Sequence, residues 1–361
     1  MEDVSYVLGP VSSLIAWRAA MGGILNEPAP SPRQVDFTRA RARVRELQSL
    51  PAVQLLGDAP LDALVGRASQ THSCAGLDSI VLKQLLPPGS LYLIDKQTYI
   101  CGPELCFLLL ARGGADIHLA EIGCELCGTY HLAPDQSGTF SNGPALTSTE
   151  KLCSYLSQMS HRHGVKAARE ILELVADGSD SPRETSLYLM LCAPDQWGGY
   201  GIRKPQLNAR LDIGEAAQLQ LGKGYLVVDE LWRDEQGNPQ AVTEYDSNQH
   251  HLHVFRGSGE KALAVEKLIA DDKRREVIRE TGVDVVTVRT EDTRSFDGFD
   301  AKALRIAKMV GDEPAPSEDD LRNQRISLFI ELFHTNRWAK EHQLLRKMAG
   351  YERGIRKSHG K

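Results

Sequence analysis

The chain lacks the features of a membrane-spanning, secreted or uniformly basic protein. Its longest apolar run, CFLLLA at residues 106–111, is far shorter than the roughly 20 residues of a membrane helix. The segment MEDVSYVLGPVSSLIAW has two acids and no basic region, which argues against a secretory signal. The net charge of −6 excludes a uniformly basic nucleic-acid binder, although a local basic patch would still set a local potential. We therefore expect a cytoplasmic protein with no membrane partner.

The chain also lacks a regular cysteine pattern. Its seven cysteines are odd in number and irregularly spaced, which predicts reduced thiols and not a disulfide framework. Cys124 and Cys127 form a single CxxC, and zinc could bind there with help from Cys101, Cys106 or His131. The apolar run LAEIGCELCGTY around this motif favours buried thiols instead.

The pattern of elements predicts a domain boundary near residues 170–182, where a Gly/Ser/Pro-rich linker lies. Residues 1–175 are predicted to form an α+β region, largely helical up to about residue 70. The segment 89–114 is predicted to be a short hairpin that leads into a buried helix. No internal repeat is present.

The residues after this boundary predict an α/β domain over 180–312. Helices and strands follow in the order α-β-β-β-α-β-α, which is typical of a mixed central sheet flanked by helices. The strands are expected at 206–213, 225–232, 240–245 and 283–289, and the later helices at about 260–281 and 298–311.

The segment 320–361 is predicted to be a long helical extension with a basic end. Its last residues, RGIRKSHGK, include Arg356 and Lys357 and contain no acid. Such a tail could contact phosphates, or it could be only a solvated end.

Three carboxylates point to a cation site in the α/β domain. Asp229 lies in the apolar strand YLVVDELW, where burying a carboxylate costs several kcal/mol unless it is paired or binds a metal. Glu244 and Asp246 lie two residues apart on the next predicted strand and therefore share a face. A short turn between antiparallel strands would bring them near Asp229. Oxygen ligands of this kind favour Mg²⁺ or Mn²⁺.

The same residues resemble a known family. TEYDSNQHH resembles the E-x-D-G-x-x-H segment of the very-short-patch-repair-like endonucleases, in particular the DUF559 branch of the PD-(D/E)xK superfamily. Three further pieces follow the family order over about residues 180–312: a helix with S-x-x-E, a strand aspartate, and D-x2-R-x3-L-x3-G before an apolar strand. The matching residues are Glu244, Asp246, His250, Ser181, Glu184, Leu187, Asp229, Asp271, Arg274, Ile278 and Gly282, with Ser247 replacing the usual glycine.

The resemblance implies a restriction-endonuclease-like fold and metal-dependent hydrolysis of phosphodiester bonds, with DNA as the expected substrate. Asp229 and Glu244 would hold Mg²⁺ or Mn²⁺, with Glu184 approaching directly or through water. His250 would transfer a proton or contact the scissile phosphate, and Arg274 would pair with Asp271 or reach a phosphate. The region 1–175 is loosely similar to the AbiEi-antitoxin layout and would then be a regulatory or recognition region. The chain departs from the wider superfamily at Asp246, because that position usually holds a lysine.

Each candidate residue also has a structural interpretation. Glu184 forms a capping box with Ser181, which would explain it without catalysis. Asp229 could pair with a buried arginine, Arg203 or Arg210. Asp246 begins the sequence DSN, whose residues are common in turns, so it could be simply a turn residue. The His-His-x-His run lacks the spacing of a structural zinc motif.

Two rival functions remain open at this point. The fold could carry a degraded site and bind nucleic acid as an antitoxin or transcriptional regulator. Alternatively, the acids could serve only as helix caps and ion pairs in a structural or partner-binding protein.

Overall fold

The computed structural model describes residues 6–31, 40, 42–54, 61–71, 77–82, 86–135, 137–214, 222–246, 258–316 and 318–335. The described chain divides into two compact units. Unit 1 holds the residues up to Asp177, and unit 2 comprises Gly178–Thr335. The division falls inside the window 170–182 in which the sequence places the linker. None of the helices in the described ranges combines the length and apolar character that crossing a membrane requires.

Unit 1 mixes short strands with helices. A four-stranded sheet has the order β1-β6-β5-β2, and two pairs, β3-β4 and β7-β8, stand apart from it. The strands are β1 (Tyr6–Val7), β2 (Ala29–Pro30), β3 (Leu61–Val65), β4 (Leu77–Val81), β5 (Leu91–Leu93), β6 (Thr98–Cys101), β7 (Tyr130–Leu132) and β8 (Phe140–Asn142). The helices are α1 (Pro10–Met21), α2 (Val44–Gln48), α3 (Pro51–Gln54), α4 (Pro103–Leu110), α5 (Ile117–Leu126), α6 (Thr149–Gln158) and α7 (Val165–Leu172).

The helical prediction for the first 70 residues is wrong. In the described parts of this stretch, only α1 is longer than five residues among the helices, and β1, β2 and β3 are strands. The run LDALV of β3 is buried at all five positions and pairs in parallel with β4. A short apolar run of this kind has no periodicity that separates a strand from a helix turn. The hairpin of β5 and β6 and the buried helix α4 are confirmed.

Asp62, on β3, caps helix α1 from outside the helix. Its carboxylate accepts the backbone N–H groups of Val11 (3.1 Å) and Ser12 (2.8 Å), two donors of the first turn that have no partner inside a helix. The Ser12 hydroxyl in turn accepts the Asp62 N–H at 3.0 Å. Burial raises the pKa of Asp62 to about 6, although these hydrogen bonds oppose the rise.

This raised pKa predicts a pH dependence of stability. Between the unfolded pKa of about 3.9 and the folded pKa of about 6, the unfolded chain ionises Asp62 first. The free energy of unfolding should therefore fall as pH rises from 4 to 6, by about 1–3 kcal/mol from this group. Urea unfolding of wild type and Asp62→Asn at several pH values isolates it. A difference between the two proteins that stays constant from pH 4 to 7 would contradict the assignment.

Unit 2 is the predicted α/β domain. Its single described sheet has the order β12-β11-β10-β9, with β9-β10 and β10-β11 antiparallel and β11-β12 parallel. The elements are α8 (Pro182–Cys192), β9 (Gln206–Asp212), β10 (Tyr225–Arg233), β11 (Pro239–Asp246), α9 (Ser258–Glu280), β12 (Asp284–Arg289), α10 (Phe296–Val310) and α11 (Asp319–Phe329). The α-β-β-β-α-β-α order and the mixed sheet are confirmed.

The predicted C-terminal helix is interrupted within the described residues. Helix α11 continues as one π-helical turn, Ile330–His334, and Thr335 is extended. The prediction of one unbroken helix from 320 to 361 therefore fails at Thr335, and the remainder of it lies outside the described residues. Helix α11 is also part of unit 2, because Phe329 and Phe333 pack against Phe299 at ring-centroid distances of 5.6 and 5.3 Å. Arg356 and Lys357 lie outside the described residues.

Candidate functional site

The strand register of unit 2 aligns polar side chains in one row across the sheet. The β9-β10 register pairs Val228 with Ala209 and Glu230 with Leu207, so Asp229 lies opposite Asn208. Continued by one residue, the β10-β11 register places Glu244 opposite Asp229. Neighbouring positions of adjacent strands share a face. The sheet therefore brings Asp229 and Glu244 together, as the sequence predicts.

Asp229 lies where the pairing of β10 and β11 ends. Its Oδ2 accepts the backbone N–H of Tyr245 at 2.7 Å, so a side chain takes the place of a strand carbonyl. Burial raises the pKa of Asp229 to about 8, and the charges of Glu184 and Glu244 add to the rise. Two carboxylates on separate elements are thus close enough to oppose its ionisation.

Glu184 joins the site from the first turn of α8. The Ser181 Oγ accepts the Glu184 N–H at 3.2 Å, which confirms the predicted helix cap. The Glu184 carboxylate in turn accepts the Asp180 N–H (3.0 Å), the Ser181 hydroxyl (2.9 Å) and the Asn208 amide (2.9 Å). Burial raises the pKa of Glu184. Glu184 thus takes part in the cap of α8 and also lies close enough to Asp229 for its charge to act on it. Its role in the cap therefore does not exclude a role in the candidate site.

Arg274, on α9, pairs with Glu244. Its Nε and Nη2 both donate to Glu244 Oε1, at 2.9 and 2.7 Å, and Nη2 also donates to the Val227 carbonyl. The expected ion pair between Asp271 and Arg274 is therefore wrong. Residues i and i+3 on a helix can meet, but a carboxylate on the sheet beneath offers a less exposed partner.

Asp246 ends β11 beside two arginines. Its Oδ2 lies 3.6 Å from Arg275 Nη2 and 3.8 Å from Arg289 Nε. The negative charge of Asp246 thus has two positive charges close to it. His250 lies outside the described residues, as do Ser247 and the rest of the predicted turn.

The arginine partners considered for Asp229 have other contacts. Arg203 pairs with Asp312 at 3.3 Å. Arg210 pairs with Asp212 at 2.8 Å and lies over the Tyr225 ring. The structural alternative of an Arg203 or Arg210 ion pair for Asp229 is therefore wrong.

Three further polar residues near the site were missed by sequence reasoning. Asn208 is the described non-glycine residue with a left-handed backbone, at φ 45°, and its amide donates to Glu184 and to the Gly178 carbonyl. Glu230 is fully buried, and its carboxylate has no hydrogen-bond partner; the same holds for the hydroxyl of Thr243, opposite it on β11. Burial raises the pKa of Glu230, which favours its neutral form. The Asp-Glu pair inside an apolar strand was the available signal.

The donor set fits a hard divalent cation. All the candidate ligand atoms are carboxylate oxygens, which Mg²⁺ and Mn²⁺ favour. Asp229 uses one oxygen for Tyr245 and Glu244 uses one for Arg274, and no described residue donates a hydrogen bond to Asp229 Oδ1 or Glu244 Oε2. The oxygens of these two residues and Glu184 do not all lie within 4.8 Å of one another.

The four cysteines considered for zinc are the buried thiols that the sequence favours. Cys101, Cys106, Cys124 and Cys127 are all buried and form no disulfide bond. Burial raises the pKa of the Cys106 and Cys127 thiols, which disfavours the thiolate that zinc requires.

Comparison with protein-family models, with curated proteins and with solved structures found no match to this chain. The resemblance to the endonucleases therefore rests on the motif residues alone.

Proposed function

We propose that unit 2 is a metal-dependent endonuclease that hydrolyses phosphodiester bonds of DNA. The observation that carries the proposal is the strand register, which places Glu244 of β11 opposite Asp229 of β10 on one face of the sheet. Burial raises the pKa of Asp229, and the charges of Glu184, from α8, and of Glu244 add to the rise, so three carboxylates lie near one another. Strongly perturbed groups of this kind cluster at functional sites. A divalent cation is the ordinary remedy for their repulsion.

The fold supports the proposal. A helix whose first turn bears an acid is followed by three antiparallel strands, a crossover helix and a parallel strand. This is the arrangement expected of a restriction-endonuclease-like domain. Unit 1 would then serve as the regulatory or recognition region, in the way that its loose similarity to the AbiEi-antitoxin layout implies.

In this proposal, the residues of the chain bind and orient, and the cation supplies the chemistry. Asp229 and Glu244 hold Mg²⁺ or Mn²⁺ and fix its place against the DNA backbone. When bound, such a cation activates water and stabilises charge on the phosphodiester. Glu184, kept in place by Ser181 and Asn208, accepts hydrogen bonds from water at the outer side of the site. His250 remains a candidate for proton transfer.

Replacing Glu244 by alanine tests the assignment. The variant loses a proposed ligand, so Mg²⁺- or Mn²⁺-dependent nicking or cutting of DNA should fall by more than the roughly 10–100-fold that loss of an outer-shell partner costs. A plasmid-nicking assay with each cation measures this. Glu235→Ala, in the exposed β10–β11 turn, is the matched control and should cut like wild type. If Glu244→Ala cuts DNA as well as wild type does, the assignment of the site is wrong.

The second candidate function is a catalytically inactive DNA-binding antitoxin or regulator. Asp246 favours it, since an acid cannot supply the positive charge that lysine gives at this position. A binder of this kind should keep its DNA affinity in EDTA and show no cleavage with Mg²⁺ or Mn²⁺. An electrophoretic mobility assay with and without EDTA separates the two functions.

A further inference from the structure

Among the described residues, Arg274 brings a positive charge into direct contact with the candidate cation site. Its guanidinium makes two hydrogen bonds to one oxygen of Glu244, and its charge also acts on Asp229 and opposes the rise of the Asp229 pKa. One arginine thus interacts with both proposed ligands. In the described structure it balances the charge that a divalent cation would balance.

We propose that Arg274 is an exchangeable counter-ion, which holds Glu244 in the metal-free protein, yields it to the cation, and then binds a DNA phosphate. The inference rests on the proposed metal site, but it concerns affinity for the cation and for DNA, not cleavage. It also suggests where the positive charge missing at Asp246 comes from.

The contacts allow this exchange. Within the described part of the chain, nothing donates a hydrogen bond to Asp229 Oδ1 or Glu244 Oε2, so a cation can reach one oxygen of each before the guanidinium leaves Oε1. A cation on Glu244 then weakens the ion pair, because two positive charges near one carboxylate repel. The Arg274 side chain is 29% exposed, which leaves it room to move.

The contact with Val227 keeps the freed guanidinium at the site. Arg274 Nη2 donates to the Val227 carbonyl as well as to Glu244, and this carbonyl does not depend on the cation. A guanidinium has five N–H donors in a fork that matches phosphate oxygens. Freed from Glu244, it has donors available for an anion next to the cation.

The first test measures Mn²⁺ alone binding to the full chain by isothermal titration calorimetry. Arg274→Gln removes the competing charge and should bind Mn²⁺ about tenfold more tightly than wild type, which corresponds to about 1.4 kcal/mol. Arg274→Lys should lie between them, because a point charge cannot make the two-bond contact. Arg279→Gln, which removes an exposed charge from the same helix, is the matched control and should match wild type.

A merely structural Arg274 predicts a different result. Its loss would lower the thermal stability and leave Mn²⁺ affinity unchanged or weaker, and either affinity result overturns the proposal. Absence of Mn²⁺ binding in both wild type and Arg274→Gln overturns it as well. Tighter binding supports the exchange even if DNA is not cut, so failure of the endonuclease function is separately visible.

The second test concerns the phosphate. Binding of duplex DNA is followed by fluorescence anisotropy over a range of salt, in Ca²⁺ and in EDTA, with the DNA checked to be intact afterwards. One phosphate contact contributes about 0.9 to the slope of log affinity against log salt. Arg274→Gln should reduce the slope by about this amount in Ca²⁺ and leave it unchanged in EDTA, where Glu244 holds the arginine. An equal effect in both buffers, or no DNA binding in Ca²⁺, overturns the phosphate role.

Discussion

Replacing Asp229 by asparagine will abolish metal-dependent cleavage and, at the same time, stabilise the metal-free protein. Asparagine has nearly the same shape and keeps an oxygen that can accept the Tyr245 N–H. It cannot carry the negative charge that a divalent cation requires. Cleavage should therefore fall by more than about 100-fold, beyond the loss of an outer-shell partner.

The gain in stability has a separate cause. Burial and the charges of Glu184 and Glu244 raise the pKa of Asp229 to about 8, so its charged form is strained in the fold. Asparagine removes that strain, and we expect the free energy of unfolding in EDTA to rise by about 1 kcal/mol or more at pH 8. Functional sites commonly carry such a conflict between stability and activity.

Two measurements check this prediction: plasmid nicking with Mn²⁺, and urea unfolding in EDTA. Asp284→Asn is the matched control, because Asp284 is an exposed aspartate on β12 of the same sheet. It should leave both quantities near wild type. If Asp229→Asn still cuts DNA, or if it unfolds more easily than wild type, the carboxylate has a structural role in place of the proposed one.

The sheet of unit 2 was predictable because its strands follow simple rules. An apolar strand, a turn at Gly237 and a second strand place Asp229 and Glu244 on one face, whatever the rest of the chain does. Glu184 was found for the same local reason, since its capping box fixes the start of α8.

The contacts of Arg274 were not predictable in this way. Local spacing favours Asp271, and only the crossover from β11 through α9 to β12 brings Arg274 over Glu244. Asn208 was missed for a related reason, because its left-handed backbone inside a strand has no signal in the sequence. Contacts between distant segments depend on packing, which residue periodicity does not record.

Helix α11 shows the same limit, and it carries the second large prediction. Sequence reasoning set it apart as a basic extension, yet Arg325 on this helix is fully buried in unit 2. Its guanidinium donates to the carbonyls of Gly199 and Ala315, pairs with Asp195 at 3.1 Å and lies 4.5 Å from the Tyr200 ring centre. A charged residue at full burial needs this number of partners.

Arg325→Ala should therefore destabilise unit 2 by about 2–4 kcal/mol, because it takes a donor from the buried Gly199 carbonyl and the half-buried Ala315 carbonyl and opens a cavity. Urea unfolding measures the loss. Arg322→Ala, one turn earlier on α11, is the matched control: Arg322 is 44% exposed and pairs with Asp297 at the surface, so its loss should cost less than about 1 kcal/mol. Similar losses in the two variants would show that Arg325 does not anchor the helix.

The C-terminal end of α11 also contacts the helix that carries Glu184. The π-helical turn that follows α11 accepts two hydrogen bonds from α8: Arg183 donates to the Phe333 carbonyl at 3.0 Å, and Ser186 donates to the Leu332 carbonyl at 3.1 Å. These donors flank Glu184. Loosening α11 should therefore free the first turn of α8, and hydrogen exchange of the amides at 184–187 should be faster in Arg325→Ala than in Arg322→Ala. Unchanged exchange there would mean that α8 keeps Glu184 in place without help from the C-terminal helix.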